Sequence, residues 1–299
     1  MKGPEILRYY FIVVAALGIW INALADRYSD YIDNYFEMAI RQQEEYGIPA
    51  SITLAQALLE SGAGGSTLAT QGNNHFGIKC HKDWTGASML RDDDAPNECF
   101  RVYENPEDSY RDHSIFLSKK RYSRLFDLEL TDYKGWAKGL KACGYATDPN
   151  YAARLITIIE RYALYNYDTD EGRSAESIVD FIRASLVESH PVRKSRGLHY
   201  VVAIPGDTYE SIAKEFKMNA KSLISYNEGT KNLEIKPWEE VYLEEKHDSA
   251  PDGVDTVTIG EGESIHSVAQ RFGMKMSVIK DLNKKAKDAP GTVLRLSAK

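Results

Sequence analysis

Helical spacing of the apolar positions dominates residues 28–165. The first helix shows it clearly, because Tyr31, Tyr35, Met38 and Ala39 recur at intervals of three to four residues. Three more helices are predicted from the same period, at 106–119, 132–143 and 150–165. This part of the chain should therefore fold as a mainly helical domain.

One segment inside this domain departs from the helical period. Residues 84–103 carry an acidic turn, Asp92-Asp93-Asp94, between two short runs of strand-forming residues. Turn residues flanked by such runs predict a β-hairpin. We therefore expect an α+β fold, in which a small β-lobe lies beside the helices.

The last third of the chain repeats itself. Gly206 and Phe216 match Gly262 and Phe272, an offset of 56 residues (262 − 206). Each copy reads as a strand, a turn, two short helices and a final strand, which predicts a βααβ module. We place the copies at 198–244 and 254–299, with a linker at 245–253 between them. A linker at 166–197 precedes the first copy, with an amphipathic helix predicted at 174–188 and an exposed basic stretch at 193–197.

The first 25 residues have the pattern of an export signal. Lys2 and Arg8 accompany an apolar run at 9–24, and Ala23-Leu24-Ala25 forms a small-x-small cleavage site. The run has about 16 residues, fewer than the ~20 that a bilayer span requires. We expect an exported protein of the periplasm, cell envelope or exterior, with no stable membrane span once the leader is removed. A retained anchor is the alternative.

Composition narrows the possible functions. The chain has 299 residues, 43% of them hydrophobic, enough for one sizeable core and smaller modules. The net charge is -7 without a basic stripe, which argues against a nucleic-acid partner. The chain has no CxxC motif and no pair of histidines at the spacing of zinc ligands. We therefore expect no metal and no cofactor. We also expect a monomer.

Three cysteines are present, so an exported protein would keep one thiol unpaired. Cys80 and Cys99 flank the predicted hairpin, whereas Cys143 lies in a later helix. A Cys80–Cys99 disulfide would close a loop of about 20 residues and stabilise the fold by roughly 3 kcal/mol. Three free thiols are the alternative.

A single carboxylate, Glu60, ends the apolar helix in the run LAQALLESGAGGSTLATQGNNHFGIK at 54–79. The negative end of a helix dipole disfavours a second negative charge, so the pKa of this carboxyl should be raised. A carboxyl that keeps its proton near neutrality can donate it to the leaving oxygen of a glycosidic bond. Glu60 is therefore the candidate general acid.

Four motifs, in order, resemble the glucosaminidase family of peptidoglycan hydrolases, glycoside hydrolase family 73, which has a lysozyme-like fold. They are the Glu60 run, FRVY at 100–103, EDSYRD at 107–112 and GYATDP at 144–149. The resemblance implies a catalytic domain at 26–165 that cleaves the β-1,4 bond after N-acetylglucosamine. A muramidase, a lytic transglycosylase or a non-catalytic peptidoglycan-binding protein are the alternatives.

The resemblance also implies site residues. The family has a second acid on the β-lobe, often a glutamate, whereas this chain offers only aspartates. We expect Asp94 in this role by its position, and Asp92 next because strand alternation puts it on the same face. Tyr145 of the GYATDP motif should bind the substrate N-acetyl group or stabilise developing charge. Three further residues are expected to shape the floor of the cleft: Asn73, Asn74 and Phe76. For Asn74, satisfying buried backbone groups is the alternative.

Each C-terminal copy resembles the LysM module, a small βααβ domain that binds N-acetylglucosamine polymers. The resemblance implies that peptidoglycan glycan strands are the partner, and two linked modules would raise the effective concentration of binding sites. A structural or partner-binding repeat is the alternative. The residues expected to contact the glycan lie in the first turn of each copy: Gly206, Asp207, Thr208, Gly262, Glu263 and Ser264.

Overall fold

The computed structural model describes residues 27–81, 84–93, 95–173, 190–229, 235–260 and 262–297. The predicted leader, the predicted helix at 174–188 and the predicted acid Asp94 lie outside the described residues. Within them, no helix is both long and apolar enough to cross a membrane.

The N-terminal domain is built from α-helices and two short 3-10 helices, as the apolar period predicts. The α-helices are α1 (Arg27–Tyr46), α2 (Ala50–Ser61), α3 (Thr67–Gly72), α4 (Pro106–Leu117), α5 (Tyr133–Ala142) and α6 (Tyr151–Arg161). The 3-10 helices are Lys120–Asp127 and Leu164–Asp168.

Helix α2 forms the centre of this domain. Its side chains from Ala50 to Leu58 are buried, so it is apolar nearly all round rather than amphipathic. The helix ends because Gly62 takes a left-handed conformation (φ 56°), a common helix stop in which glycine avoids a Cβ clash. This stop places Glu60 in the last turn of a helix that the core holds on all sides.

The predicted β-lobe is present as an antiparallel hairpin. Strand β1 (Ser88–Arg91) pairs with β2 (Glu98–Arg101), with Met89 opposite Phe100. A disulfide joins Cys80 to Cys99, and the Cys80 backbone N–H donates to the Cys99 carbonyl (2.7 Å). The hairpin is thereby tied to the segment that follows α3.

Both C-terminal copies have the predicted βααβ order. The first comprises β4 (Leu198–Val202), α7 (Tyr209–Glu215), α8 (Ala220–Tyr226) and β5 (Glu240–Tyr242). The second comprises β6 (Thr256–Thr258), α9 (Ile265–Phe272), α10 (Met276–Leu282) and β7 (Val293–Arg295). The two strands of each copy pair antiparallel.

The basic stretch at 193–197 is not the exposed linker that its composition predicts. Arg193–Ser195 forms strand β3, which extends the first repeat's sheet by pairing with β4. The Arg196 guanidinium donates to the carbonyls of Phe272 (2.9 Å) and Ser249 (2.8 Å) in the second half of the C-terminal region. Basic residues here hold structural contacts, which composition alone does not reveal.

One face of the first repeat joins the hydrophobic core of the helical domain, and the other buried side chains of the repeat form a core of their own. Trp238 is 3% exposed and packs edge-on against Tyr28 (centroids 5.2 Å apart) and Tyr162 (6.0 Å). Tyr200 of β4 donates a hydrogen bond to the Asn150 side chain (3.1 Å). The repeat is therefore packed onto the helical domain rather than tethered to it.

Candidate active site

Glu60 is held by a short chain of hydrogen bonds. The Tyr151 hydroxyl, at the start of α6, donates to Glu60 Oε1 (2.9 Å). The same hydroxyl accepts from Nε2 of Gln56, one turn earlier on α2 (3.0 Å). Because Gln56 and Tyr151 are both buried in the core, the acid has a defined position.

The environment of Glu60 fits an acid that stays protonated near neutrality. Its side chain remains accessible to solvent, but surrounding protein displaces much of its water, and this desolvation raises the pKa to about 7. The carboxylates of Asp93 and Asp148 contribute to this rise. The Tyr151 hydrogen bond and the Arg154 charge act in the opposite direction.

Asp93, which we did not predict, is the described hairpin aspartate whose charge acts on Glu60, while the predicted Asp94 lies outside the described residues. Asp93 acts on the charge of Glu60 and forms an ion pair with Lys79 (2.8 Å). Asp92 instead closes the hairpin turn, because its Oδ1 accepts from the Asn97 backbone N–H (2.8 Å). Strand alternation is a poor guide here, since β1 ends at Arg91 and the aspartates lie in the turn.

Asp92 also faces the second repeat. A Cβ placed on Gly291 would come within 2.6 Å of Asp92 Oδ2. Asp92 Oδ2 thus lies close to Gly291, while Oδ1 is engaged by the turn hydrogen bond. Of the described hairpin aspartates, Asp93 is therefore the stronger candidate for a second acid.

Tyr145 lies beside the acid, as expected from its motif. Its ring stacks on Tyr151, with centroids 5.6 Å apart and planes at 26°. Burial, followed by the nearby charge of Glu60, raises the pKa of Tyr145 well above its usual range, so the phenol stays neutral. The hydroxyl is thus a donor or acceptor next to Glu60, not a base.

The three residues expected to form the cleft floor instead hold the fold. Asn74 is 1% exposed, and its amide bonds the backbone of Ile78 (3.0 Å) and Arg101 (2.9 Å). Asn73 caps α3 and donates to the Tyr103 carbonyl (3.1 Å). We correct this expectation for both asparagines, because their polar atoms already have backbone partners.

Phe76 is likewise a core residue. It is 4% exposed and stacks on His113, with ring centroids 4.0 Å apart. Burial lowers the pKa of His113 to about 3, so this histidine is neutral. The position of Phe76 after Asn74 suggested a place in the cleft, whereas the structure places Phe76 and His113 in core packing.

Sequence reasoning missed three residues of the site. Tyr151, Asp148 and Arg154 surround Glu60, and Asp148 Oδ2 accepts from Arg154 Nε (3.1 Å). Asp148 belongs to the GYATDP motif, and the other two follow it at helical spacing. The helical spacing indicates that Tyr151 and Arg154 share one face of α6. The motif alone does not show that this face points at Glu60.

The turns of the two repeats are built alike. In the first, Gly206 has a positive φ (91°), and Asp207 Oδ2 accepts from the Ile204 backbone N–H (2.7 Å). In the second, Gly262 also has a positive φ (76°), and Glu263 accepts from a backbone N–H in the same way (3.0 Å). Each acid thus folds back on its own turn.

The hydroxyl residues of these turns cap the following helices. Thr208 accepts from the Ser211 backbone N–H (3.0 Å), and Ser264 accepts from Ser267 (3.2 Å). Both match the N-cap role expected of such hydroxyls. Since the turn side chains are engaged within the turns, backbone groups are the remaining candidates for glycan contacts.

The α+β domain presents an acid of near-neutral pKa with a second carboxylate nearby, and two βααβ repeats follow it in the chain. This arrangement defines a glycoside hydrolase with glycan-binding modules. Comparison with known proteins makes the assignment specific. The family described as mannosyl-glycoprotein endo-beta-N-acetylglucosaminidase matches residues 36–164, and the LysM domain matches residues 201–237 and 257–297. The chain belongs to the glucosaminidase family of peptidoglycan hydrolases and carries two LysM domains.

Two relatives agree with this assignment by sequence. The exo-glucosaminidase LytG of Bacillus subtilis is 36% identical over 193 residues, which cover 56% of this chain and 68% of LytG. The peptidoglycan hydrolase FlgJ of Pseudomonas aeruginosa is 33% identical over 46% of this chain and 37% of FlgJ. The solved glycoside hydrolase domain of Salmonella typhimurium FlgJ is 27% identical, covers 53% of this chain and 97% of that domain, and has a TM-score of 0.41.

Proposed function

We propose that this chain is an exported endo-β-N-acetylglucosaminidase that cleaves the β-1,4 bond after N-acetylglucosamine in peptidoglycan. Glu60 is the general acid. Its pKa of about 7 carries the proposal, because a carboxyl of ordinary pKa would have lost its proton at neutral pH.

In this mechanism Glu60 gives its proton to the glycosidic oxygen as the bond between that oxygen and C1 of N-acetylglucosamine breaks. Water then supplies the hydroxyl at C1, and its remaining proton restores the acid. Asp93 is the proposed carboxylate that stabilises positive charge developing at C1. Tyr145, whose ring stacks on that of Tyr151, is the proposed group that holds the substrate N-acetyl group.

The two LysM domains are proposed to hold the glycan strand through the backbone of the turns at 206–208 and 262–264. Two sites on one molecule raise the effective concentration of each for the polymer. The proposed enzyme acts as a monomer. The proposed export leader at 1–25 carries it to its substrate, because peptidoglycan lies outside the cytoplasm.

Digestion of purified peptidoglycan tests the bond that is cut. After borohydride reduction, mass spectrometry should find reduced N-acetylglucosamine at the new ends. Glu60→Gln should lower turnover at least about 10²-fold, the scale of a lost general acid, without loss of fold. Reduced N-acetylmuramic acid, an anhydro sugar, or activity of the variant within a few-fold of the native enzyme would each refute the assignment.

An exo-acting enzyme is the second candidate, because LytG is named an exo-glucosaminidase. The two modes differ in their early products. An endo enzyme should shorten long glycan strands to intermediate lengths, whereas an exo enzyme should release small sugars while long strands persist. Size-exclusion analysis of glycan strands early in the digestion separates the two.

A further inference from the structure

A buried arginine connects the catalytic domain to the first LysM domain. Arg154 of α6 donates from Nε and Nη2 to the two carboxylate oxygens of Glu240, at 2.9 Å and 2.7 Å. The same guanidinium contacts Asp148 of the GYATDP motif (3.1 Å). Glu240 lies on β5, so one arginine is shared between a catalytic-domain motif and a strand of the neighbouring domain.

The burial of this cluster makes the partnership obligatory. The Glu240 side chain is 0% exposed and that of Arg154 is 19% exposed. A buried charge that loses its partner is strongly unfavourable, whereas a bidentate arginine–carboxylate pair satisfies both groups and fixes their orientation. The first LysM domain therefore supplies a second counter-charge for Arg154, in addition to Asp148 of the catalytic domain.

The cluster lies next to the acid. Tyr151, which donates to Glu60, is three residues before Arg154 on α6, so the two side chains share a helix face one turn apart. Asp148 lies three residues before the helix begins, and its Oδ1 accepts from the backbone N–H of Asn150, the N-cap residue (2.7 Å). Any shift of Arg154 is thus transmitted through one rigid turn to the hydrogen-bond partner of Glu60.

We propose that Glu240 of the first LysM domain is a positioning residue for catalysis, which fixes Arg154 and, through it, Asp148 and the start of α6 next to Glu60. The wall-binding domain then has two roles. It holds the polymer, and it completes the shell around the acid. This inference rests on the proposed role of Glu60.

The charges around Glu60 determine how the loss of Glu240 should change the pH dependence of catalysis. The groups that face the acid are Asp93 of the hairpin, Asp148, Arg154, and the tyrosines Tyr145 and Tyr151. Without the Glu240 charge, Arg154 is less neutralised, so the pKa of Glu60 should fall. If Arg154 and Glu240 are both replaced by apolar residues, Asp148 loses its cation and the pKa of Glu60 should rise.

The test compares Glu240→Gln with the double variant R154M/E240L in the full chain, on soluble peptidoglycan fragments. For Glu240→Gln we expect kcat to fall at least about tenfold, since small misplacements of catalytic groups are costly, with little change in KM. The alkaline limb of the kcat profile should move to lower pH in Glu240→Gln and to higher pH in the double variant.

Glu228→Gln is the matched control. Glu228 pairs with the buried Lys246 (3.2 Å) and accepts from the Ser277 backbone N–H of the second LysM domain (3.0 Å), and its carboxylate does not contact Arg154. A general weakening of domain contacts would affect this variant as much as Glu240→Gln. We expect its kcat and pH profile to match those of the native enzyme.

The proposal is overturned if folded Glu240→Gln keeps native kcat and pH profile, or if Glu228→Gln loses as much activity. If Glu240→Gln does not fold, the double variant decides, because apolar replacement of a buried pair is usually tolerated. If the double variant has the native kcat and its alkaline limb lies at the native pH, the positioning role is rejected. Activity remaining in Glu60→Gln would instead refute the proposed function itself.

Discussion

The hydroxyl of Tyr151 donates to Glu60 Oε1 at 2.9 Å, across 91 residues of sequence. This bond sets the charge state of the acid as well as its position. A donor to the carboxylate stabilises the charged form and lowers the pKa, while burial raises it. The pKa of about 7 is the balance of these opposing effects.

Tyr151→Phe should move the alkaline limb of kcat/KM to higher pH. The variant removes a hydrogen bond that favours the charged carboxylate, so the folded-state pKa of Glu60 rises above about 7 and the proton is kept to higher pH. The measurement is kcat/KM on soluble peptidoglycan fragments between pH 5 and 9, a range about two units either side of that pKa.

Tyr133→Phe is the control for this change. Its hydroxyl donates to Glu160 (3.3 Å) rather than to Glu60, so its limb should stay in place. An unchanged limb in Tyr151→Phe, or one displaced to lower pH, would show that the hydrogen bond does not control the acid.

Among the hairpin aspartates, Asp93→Asn should be the severe substitution. It removes the carboxylate that acts on Glu60, and we expect kcat to fall about 10²-fold or more. Asp92→Asn should be nearly silent, because an asparagine oxygen still accepts from the Asn97 N–H. Turnover of the single variants, with Asp94→Asn included, decides which aspartate acts.

Glu98→Gln controls for the ion pair of Asp93. Glu98 contacts the same Lys79 ammonium (2.9 Å), so loss of that contact alone should leave turnover unchanged. A severe Asp94→Asn together with an active Asp93→Asn would restore the assignment predicted from the sequence.

The disulfide should contribute substantially to stability. Cys80 and Cys99 are 19 residues apart, and closing a loop of this size stabilises by roughly 3 kcal/mol. Denaturant unfolding of C80S/C99S should show a loss of about this size. Non-reducing peptide mapping should find Cys143 free, and any linkage through Cys143 would contradict the pairing.

Trp238→Ala should destabilise the catalytic domain although Trp238 belongs to the first LysM domain. Truncating a buried tryptophan costs about 3–5 kcal/mol, and this one packs on Tyr28 and Tyr162. Heat inactivation of the hydrolase should therefore occur at lower temperature.

Ile279→Ala is the matched control, because Ile279 is equally buried but belongs to the separate core of the second LysM domain. It should lower the stability of that domain without changing heat inactivation of catalysis. Equal heat inactivation of Trp238→Ala and the native enzyme would show that the domains unfold independently.

The local features of the chain were readable from sequence because they depend on neighbouring residues. Helical period, a glycine stop after the acid and a repeat offset of 56 residues (262 − 206) identify α2, Glu60 and the two LysM domains. The hairpin at 88–101 follows from turn residues between strand formers. Conserved spacing was not needed for any of these inferences.

Only the tertiary structure decided which groups surround the acid and how the domains join. The Tyr151–Glu60 bond spans 91 residues and the Arg154–Glu240 pair spans 86, so no local pattern records either. Asn74 looked like a ligand-binding residue until its backbone partners were known. Periodicity specifies which face of an element is buried, whereas the partner of that face depends on how distant elements pack together.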